Sequence, residues 1–293
     1  MTINPDISIV VRSRNESTDL QKLLSKIKKQ SYEGKIEIIV VDNSSEDNTV
    51  EIALGAGARL VTISQNEFSH GRALNLGVQH CTHDYVFLIS PHCILLGNFF
   101  LKEAVSLFIT DKKAAALRCI RVNNPNDIIR SIEKTVCDAS LLNEVDDNTL
   151  FLLPAATCCL IRKSAWAEVK FSEEIESNED KGWMIEVLRL GYTILSTSDS
   201  YYYYSRSRSS LREKMSRFKR LEVSKYKILG IGRINVVQFV VRVIKFSLAK
   251  IRRLCLDIAY MVACNYIKLN LNYYGRKQFR FGSIKEYELK KNR

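Results

Sequence analysis

A carboxylate stands where an apolar segment gives way to a polar turn. Residues 36–41 form a β-branched run too short for an ordinary helix, which predicts a strand buried on both faces of a parallel sheet. Asp42 follows directly, and Ser44 lies in the turn behind it. In open α/β sheets, ligands bind beyond the carboxyl ends of strands, where helix N-termini offer free N–H groups to phosphates. The segment therefore predicts a nucleotide pocket, while a plain turn with a capped helix is the alternative.

Alternating strand and helix patterns must position this carboxylate. Strands are predicted at residues 7–11, 36–41, 59–63, 85–89, 114–120, 157–161 and 193–195. Helices are predicted at residues 19–29, 48–54, 71–79, after an Asn98 cap, and at 179–190. This order indicates βαβ connections and an α/β fold with a mostly parallel, Rossmann-like sheet flanked by helices.

Charge is unevenly distributed along the 293 residues. From Ser205 onward lie 23 of the 44 Lys and Arg residues but only 5 of the 32 acidic ones. Such asymmetry indicates a polyanionic partner, either a membrane surface or nucleic acid. The eight cysteines include no C-x-x-C pair and the N-terminus carries no secretory pattern, so we expect reduced thiols and a cytoplasmic location.

Three motifs carry a family resemblance. They read SIVVRSRNE at residues 8–16, DNSSEDNT at 42–49 and FSHGRALNLG at 68–77. In this order and spacing they resemble the family 2 glycosyltransferases with a GT-A fold, and the third motif is similar to that of bacterial rhamnosyltransferase-like members. The resemblance covers about residues 7–204, which we assign to a glycosyltransferase domain.

The resemblance implies an inverting transfer of a hexosyl or deoxyhexosyl unit from a nucleotide-diphosphate sugar to a hydroxyl of a lipid-linked cell-surface glycan, in polysaccharide biosynthesis of the cell envelope. Asp42 can only accept hydrogen bonds, which suits base N–H and ribose hydroxyl donors. For Glu16, an ordinary charge at a helix N-terminus is the alternative. Arg72 and Asn75 are equally suited to fixing their loop. The expected donor-binding residues are Arg12, Glu16, Asp42, Ser44, Arg72, Asn75 and Ser90.

The metal site of the resemblance is altered in this chain. Where the family carries a D-x-D element, the sequence has Ser90-Pro91-His92. Imidazole is a competent ligand for Mn²⁺-type ions, so we expect His92 to bind a divalent cation, Mn²⁺ or Mg²⁺, or to contact the diphosphate directly. A histidine that only caps the following turn is the alternative. Tyr201–Tyr204 follow a strand where many relatives carry a further metal-binding histidine, and we expect these rings to stack on sugars or lie at an interface.

Two adjacent carboxylates match the acceptor motif of the family. Glu179 and Asp180 open a predicted helix that ends at Gly191. An inverting transfer needs one carboxylate to take the proton of the attacking hydroxyl. We predict Asp180 as this base and Glu179 as its support or as an acceptor ligand. An acidic first helical turn without catalytic role is the alternative.

The extension at residues 205–293 is predicted to be helical, basic and amphipathic. Residues 211–229 place an apolar stripe beside a cationic one, and residues 236–267 are apolar but too charged to span a bilayer. We expect this extension to lie on the anionic inner face of the plasma membrane. A solvated charged face is the alternative, and nucleic-acid binding ranks third because no recognised module accompanies the charge.

Two other functions compete with the transferase. A GT-A protein that has lost its chemistry could bind a sugar nucleotide or glycan, since Ser90 and His92 replace the usual acids. A basic nucleic-acid-binding protein is the third possibility. Retention of Asp42, Glu179 and Asp180 together favours the enzyme.

Overall fold

The computed structural model describes residues 4–122, 124, 135–143, 150, 152–204, 210–229 and 256–269. By its contacts the chain divides into two compact units, Met1–Ser207 and Arg208–Arg293.

A parallel half-sheet forms the start of the first unit. Its elements are β1 (Ile7–Ser13), α1 (Ser17–Lys28), β2 (Ile36–Asp42), α2 (Thr49–Gly55), β3 (Arg59–Thr62), α3 (His70–His80) and β4 (Tyr85–Ile89). The strands lie in the order β3-β2-β1-β4, and all three pairings are parallel. Ser13 pairs with Asp42 and Asp42 with Thr62, so the carboxyl ends of the strands meet at one edge. Ligand binding is expected at such an edge.

Antiparallel strands extend the sheet beyond β4. The remaining elements of this unit are β5 (Cys93–Leu95), α4 (Phe100–Phe108), β6 (Ala114–Val122), β7 (Thr135–Cys137), a 3₁₀ turn (Ala139–Leu142), β8 (Cys158–Arg162), α5 (Lys163–Glu168), α6 (Glu179–Arg189) and β9 (Thr193–Tyr204). Strand β8 lies antiparallel between β4 and β6, whereas β6 and β9 pair in parallel. The short strands β5 and β7 both pair antiparallel with β9.

Helix packing on the parallel half-sheet follows from small and apolar residues. On α1 the buried residues Leu20, Leu23, Leu24 and Ile27 recur at helical spacing, which gives one apolar face. On α3 a Cβ added at Gly77 would stand 2.3 Å from Val10 Cγ1. Glycine therefore allows α3 to lie directly against β1.

The predicted α/β class, a sheet flanked by helices, is confirmed, and several details differ. Asn98 does not cap α4, because Phe99 occupies the N-cap and the Asn98 carbonyl accepts a hydrogen bond from Ser31 N. Strand β9 runs to Tyr204, well past the predicted end at residue 195. The three-residue strands β5 and β7 were too short to predict from a periodic pattern.

The second unit contains helices α7 (Leu211–Leu229) and α8 (Leu256–Leu269) among its described residues. They contact each other through Phe218 and Tyr260, whose ring centroids are 6.2 Å apart. Within the described parts of the chain, no helix has the length and apolar character needed to cross a bilayer. Most of the apolar stretch predicted at 236–267 lies outside the described residues.

Candidate active site

Two loops at the carboxyl ends of β1 and β2 are bonded to each other. Asn15 N donates to Ser45 Oγ, and the Asn15 side-chain oxygen accepts from Glu46 N at 2.7 Å. The amides of Glu16 and Ser17 donate to the side chains of Thr49 and Asp47 in the second loop. Asn15 has φ 52°, in the left-handed region that asparagine tolerates better than most residues. The loops therefore form one rigid edge.

Asp42 lies buried behind this edge with one oxygen in use. Oδ2 accepts a hydrogen bond from Ser45 N at 2.9 Å, whereas Oδ1 is buried and has no partner among the described residues. Ser44 lies next to it with φ 52° and donates its hydroxyl to the Ile63 carbonyl at 3.1 Å. A buried carboxylate oxygen without a donor is costly, so it marks a place where a ligand N–H or O–H would bind.

His92 lies between two carboxylates. Its Nε2 is 2.6 Å from Glu16 Oε1, and its Nδ1 is 2.8 Å from Asp19 Oδ2. The hydrogen bond to Glu16 raises the pKa of His92 above its usual value, and the contact with Asp19 acts in the same direction. Burial alone would lower this pKa, but its effect is smaller. The Tyr204 ring meets the imidazole edge-on at a centroid distance of 5.6 Å. His92 therefore belongs to a charged cluster with Glu16 and Asp19 just after the end of β4.

Glu16, Asp19 and His92 carry the types of ligand atom that a divalent cation accepts. An imidazole nitrogen and carboxylate oxygens are ligands that Mn²⁺-type ions accept. Within the described ranges, no group of three His, Cys, Asp or Glu side chains is arranged to hold a metal ion by itself. Ser90, the other replacement in the D-x-D element, lies at the end of β4 and donates its amide to the Thr157 carbonyl at 2.7 Å.

Arg12 joins the strand ends to the start of α6. Its Nη1 lies 3.3 Å from Glu179 Oε1 and donates to the His70 carbonyl at 3.1 Å. Burial, together with the charge of Asp180, raises the pKa of Glu179 to about 7, although Arg12 opposes the shift. The predicted donor residue Arg12 and the predicted acceptor residue Glu179 are therefore in direct contact.

Asp180 is fixed by backbone amides. Oδ2 accepts from Ala156 N at 2.8 Å and Oδ1 accepts from Lys181 N at 2.7 Å. The Lys181 ammonium group donates to the carbonyls of Leu153 and Pro154, and burial lowers the pKa of this lysine. The segment 153–157 is therefore bonded to Lys181 at its first end and to Asp180 and Ser90 at its second end.

The α3 motif fixes the chain between α5 and α6. The Asn75 amide oxygen accepts from Trp166 Nε1 and Phe171 N, both at 3.0 Å, and its Nδ2 donates to the Phe171 carbonyl and Glu173 Oε1. A Cβ added at Gly71 would stand 2.0 Å from the Ser172 carbonyl oxygen. Every hydrogen-bonding position of Asn75 is thus used inside the protein, which favours the structural interpretation over donor binding.

Arg72 also contacts the segment between α5 and α6, through Glu173. It forms ion pairs with Glu67 at 3.6 Å and with Glu173 at 3.8 Å, and its side chain is 41% exposed. Both carboxylates are themselves largely exposed, so these pairs contribute little and leave the guanidinium able to exchange partners.

Some neighbours of the predicted residues had no sequence motif to mark them. Asp19 and Lys181 read as ordinary helix charges, yet Asp19 contacts His92 and Lys181 holds the segment beside Asp180. Asp19 could have been found from its spacing, since residues three apart on a helix share a face and Glu16 was already a candidate.

A parallel half-sheet with a buried carboxylate at its edge, joined through Arg12 to an acidic helix start, agrees with the family resemblance of the motifs. Residues 8–169 match the sequence profile of Glycosyl transferase family 2, and the chain belongs to that family. The predicted recognition is confirmed.

Relatives and solved structures agree with this assignment. The chain is 24% identical over 207 residues to the poly(ribitol-phosphate) β-N-acetylglucosaminyltransferase TarS of Staphylococcus aureus, covering 69% of this chain and 35% of TarS. It is 33% identical over 82 residues to the O-antigen chain rhamnosyltransferase WbaN of Salmonella anatum, covering 28% of this chain and 26% of WbaN. The chain spans 40% or less of the length of these curated relatives.

A solved structure shares the fold over most of the chain. The mannosyltransferase PcManGT from Pyrobaculum calidifontis, in complex with GDP-Man and Mn²⁺, superposes with a TM-score of 0.63 at 17% identity. The match covers 92% of this chain and 88% of PcManGT. At this identity the likeness establishes the fold alone.

Proposed function

We propose that this protein transfers a sugar from a nucleotide-diphosphate sugar to an acceptor hydroxyl with inversion at the anomeric carbon. The observation that carries the proposal is the contact between Arg12 and Glu179, because it brings the nucleotide edge and the acidic helix start together. The buried, unpartnered Oδ1 of Asp42 supports the nucleotide half, since base and ribose donors would satisfy it.

Asp180 is the proposed base. It takes the acceptor proton while the acceptor oxygen bonds to the anomeric carbon and the bond to the nucleoside diphosphate breaks. Amide donors from Ala156 and Lys181 hold the carboxylate in one orientation, which suits a group that must meet a reacting hydroxyl. Glu179 directly precedes Asp180 and is held by the ion pair with Arg12, and its proposed role is to support the base.

A divalent cation, Mn²⁺ or Mg²⁺, is proposed as cofactor, with His92 among the residues that would hold it. Bound there, it would neutralise charge on the departing diphosphate. The Mn²⁺ present with PcManGT is compatible with this proposal. Arg12 supplies a positive charge at the carboxyl ends of β1 and β2, and its side chain is 22% exposed.

The proposed acceptor is a lipid-linked glycan of the bacterial cell envelope, and the donor sugar is a hexose or deoxyhexose. TarS and WbaN are named for polymer glycosylation and O-antigen chains, which supports the acceptor class. The names of PcManGT and WbaN point to different donor sugars, mannose on GDP and rhamnose. A donor screen must therefore identify the nucleotide base and the sugar.

Purified protein, tested with a panel of UDP, GDP and dTDP sugars and a lipid-linked acceptor, should release nucleoside diphosphate. Asp180→Asn should lower turnover about 100-fold or more, the usual contribution of general-base catalysis. Glu174→Gln, which removes an exposed charge ahead of α6, serves as the matched control.

Full turnover by Asp180→Asn would contradict the base assignment. Sugar-nucleotide binding without turnover by the wild-type protein would instead favour the inactive binding protein. Tight, steeply salt-dependent binding of RNA or DNA would favour the nucleic-acid function.

The second unit is proposed to bind an anionic membrane surface. Four cations on α7 are exposed, namely Arg212, Lys214, Arg217 and Arg220. Lys225 does not belong to this surface, because it is buried and pairs with Glu222 at 3.0 Å. Cations close to an anionic bilayer contribute about 1 kcal/mol each, so four would give measurable adsorption.

Flotation with vesicles containing anionic lipid tests this surface. The full chain should float at low salt, and replacing the four exposed cations by glutamine should abolish flotation. Flotation by the quadruple variant equal to that of the wild type would contradict membrane binding through α7.

A further inference from the structure

The start of α6 is held by contacts with other parts of the chain. Asn178 occupies the N-cap position in the left-handed region, with φ 62°, and its side chain makes no capping hydrogen bond. A helix start without such a cap leaves its first N–H groups to other partners. One of these groups, Lys181 N, donates to the carboxylate of Asp180 at 2.7 Å. The position of the proposed base therefore depends on what its neighbours contact.

Asp180 and Lys181 are both bonded to the segment before β8, in opposite senses. Asp180 Oδ2 accepts a hydrogen bond from Ala156 N at 2.8 Å. The Lys181 ammonium group donates to the carbonyls of Leu153 and Pro154, to the latter at 2.9 Å. Because Lys181 N also bonds to Asp180, these contacts form a closed cycle between the helix start and the segment. Each bond in such a cycle limits the movement that the others allow.

We infer that Lys181 is a positioning residue of the transferase, and that it orients the Asp180 carboxylate by anchoring the segment 153–157. The inference rests on the proposed function, because it takes Asp180 as the base. It gives a task to a side chain that reads in the sequence as an ordinary helix charge.

The residue type at position 181 suits an anchor for two adjacent carbonyls. An ammonium group has three N–H donors and no acceptor, so it can bind both carbonyl oxygens at once. A charge is costly to bury, and burial lowers the pKa of Lys181, although the charge of Asp180 acts against this shift. An apolar side chain here would avoid that cost but would leave the carbonyls of Leu153 and Pro154 without this donor.

The other end of the segment is bonded to the residues that replace the D-x-D element. The Thr157 carbonyl accepts from Ser90 N at 2.7 Å and from Cys93 Sγ at 3.1 Å. Near the first end, Arg118 reaches only the Leu152 carbonyl, at 3.4 Å. Loss of the lysine anchor should therefore loosen the first end, while the contacts of Thr157 remain. We expect the base to lose its orientation without a change in nucleotide binding.

Steady-state kinetics of the full chain, with the donor and acceptor that the wild type accepts, test this role. Lys181→Met should lower kcat about 10- to 100-fold, because a misplacement of about 1 Å can cost that much. Affinity for UDP, GDP or dTDP, whichever the wild type binds, should stay unchanged. Lys112→Met, which removes an exposed lysine ahead of β6, is the control. Wild-type kcat in Lys181→Met would overturn the inference.

Combination with Asp180→Asn separates positioning from a general loss of activity. If Lys181 acts through Asp180, Lys181→Met should remove little of the residual turnover of Asp180→Asn, since residues that act as a unit are not additive. An equal fold-loss in the wild-type and Asp180→Asn backgrounds would mean that Lys181 does not act through the base.

Deuterium exchange follows the segment itself, without any turnover. The peptide that contains residues 153–157 should exchange faster in Lys181→Met, whereas the peptide of β1 should not change. Lys181→Arg, which keeps the charge and several donors, should restore slow exchange and most of kcat. Wild-type exchange in Lys181→Met, or a loss of kcat in Lys181→Arg as large as in Lys181→Met, would overturn the anchoring role. Lys181→Gln, which is shorter and uncharged, takes the place of Lys181→Met if that variant does not fold.

Failure of the inference and failure of the proposed function give different results. If the wild type transfers sugar and the folded Lys181→Met variant does so at the same rate, the role of Lys181 is wrong and the transferase is unaffected. If the wild type neither binds a sugar nucleotide nor turns one over, the proposed function itself is wrong.

Discussion

Asp42 and Asn75 are both buried polar residues within motifs of the same family, and they differ in how their hydrogen-bonding capacity is used. All four positions of the Asn75 amide are occupied by groups of the protein. One oxygen of Asp42 is buried without any partner among the described residues. A motif residue can therefore be retained for the fold or for a ligand, and unused capacity separates the two cases.

The same contrast divides the two predicted site regions. At the strand ends, Asp42, Glu16 and His92 face a partly open edge. At α3, Gly71 and Asn75 hold residues 171–173 in contact with the helix, close to where α6 begins. The α3 motif thus fixes the chain that leads into α6, where the proposed residues Glu179 and Asp180 lie.

The largest expected effect is on stability, at Asn75. Asn75→Ala leaves the buried donors Trp166 Nε1 and Phe171 N without an acceptor, which should lower the free energy of unfolding by about 3–5 kcal/mol. Urea unfolding measures this loss, and Asn66→Ala in the exposed loop before α3 is the control. Unchanged stability would contradict the structural role of Asn75. A loss of nucleotide affinity in the folded variant would show that Asn75 also contributes to donor binding.

Asp42→Asn should affect binding and spare the fold. Losing the hydrogen bonds of an ionised acceptor costs about 1.5–3 kcal/mol, or roughly 10- to 150-fold in nucleotide affinity. Titration calorimetry with a nucleoside diphosphate measures it, with Glu46→Gln in the same turn as control. Because Oδ1 has no partner among the described residues, the free energy of unfolding should not fall in this variant. A fall as large as that of Asn75→Ala would show that Asp42, like Asn75, is needed for the fold.

Glu179 should give the smallest effect, visible as a dependence of stability on pH. Its folded pKa of about 7 lies above the ordinary value of 4.5, so its contribution is full below about pH 4.5 and is lost as pH rises through 7. Between pH 5 and 8 the wild type should lose about 1–2 kcal/mol that Glu179→Gln retains, because glutamine does not ionise.

Urea unfolding at several pH values tests this difference. Glu174→Gln should keep the wild-type dependence, since that side chain is exposed. Parallel curves for wild type and Glu179→Gln would mean that Glu179 is ionised throughout this range.

The parallel half of the fold was predictable because its strands are apolar, short and separated by amphipathic helices. Strand β4 was predicted at its observed bounds, and β1 to β3 within two residues. The antiparallel half was harder, since β9 continues through Ser196–Ser200, whose polar composition resembles a loop. Pairing with β6 on both sides of that segment, at residues 193–196 and 201–203, continues the strand across it, and such tertiary support leaves no local pattern.

Candidate site residues could be named where a strand end fixes the backbone, as for Asp42, or where a family motif marks them, as for Glu179 and Asp180. Their roles stay predictions. Contacts between distant segments could not be named, because nothing in the sequence near His92 indicates that Asp19, 73 positions earlier, faces its ring. Side-chain partners across the sheet edge depend on the packing of α1, which the three-dimensional structure alone defines.

The bonded loops after β1 and β2 limit how the donor preference of this protein can be altered by engineering. Asn15 and Ser45, Glu16 and Thr49, and Ser17 and Asp47 are bonded in pairs across the two loops. A graft of residues 42–49 that lacks these acceptor side chains would leave three backbone N–H groups, at residues 15–17, without acceptors. Successful exchange should require residues 13–17 from the same relative, so the two segments form one exchangeable cassette.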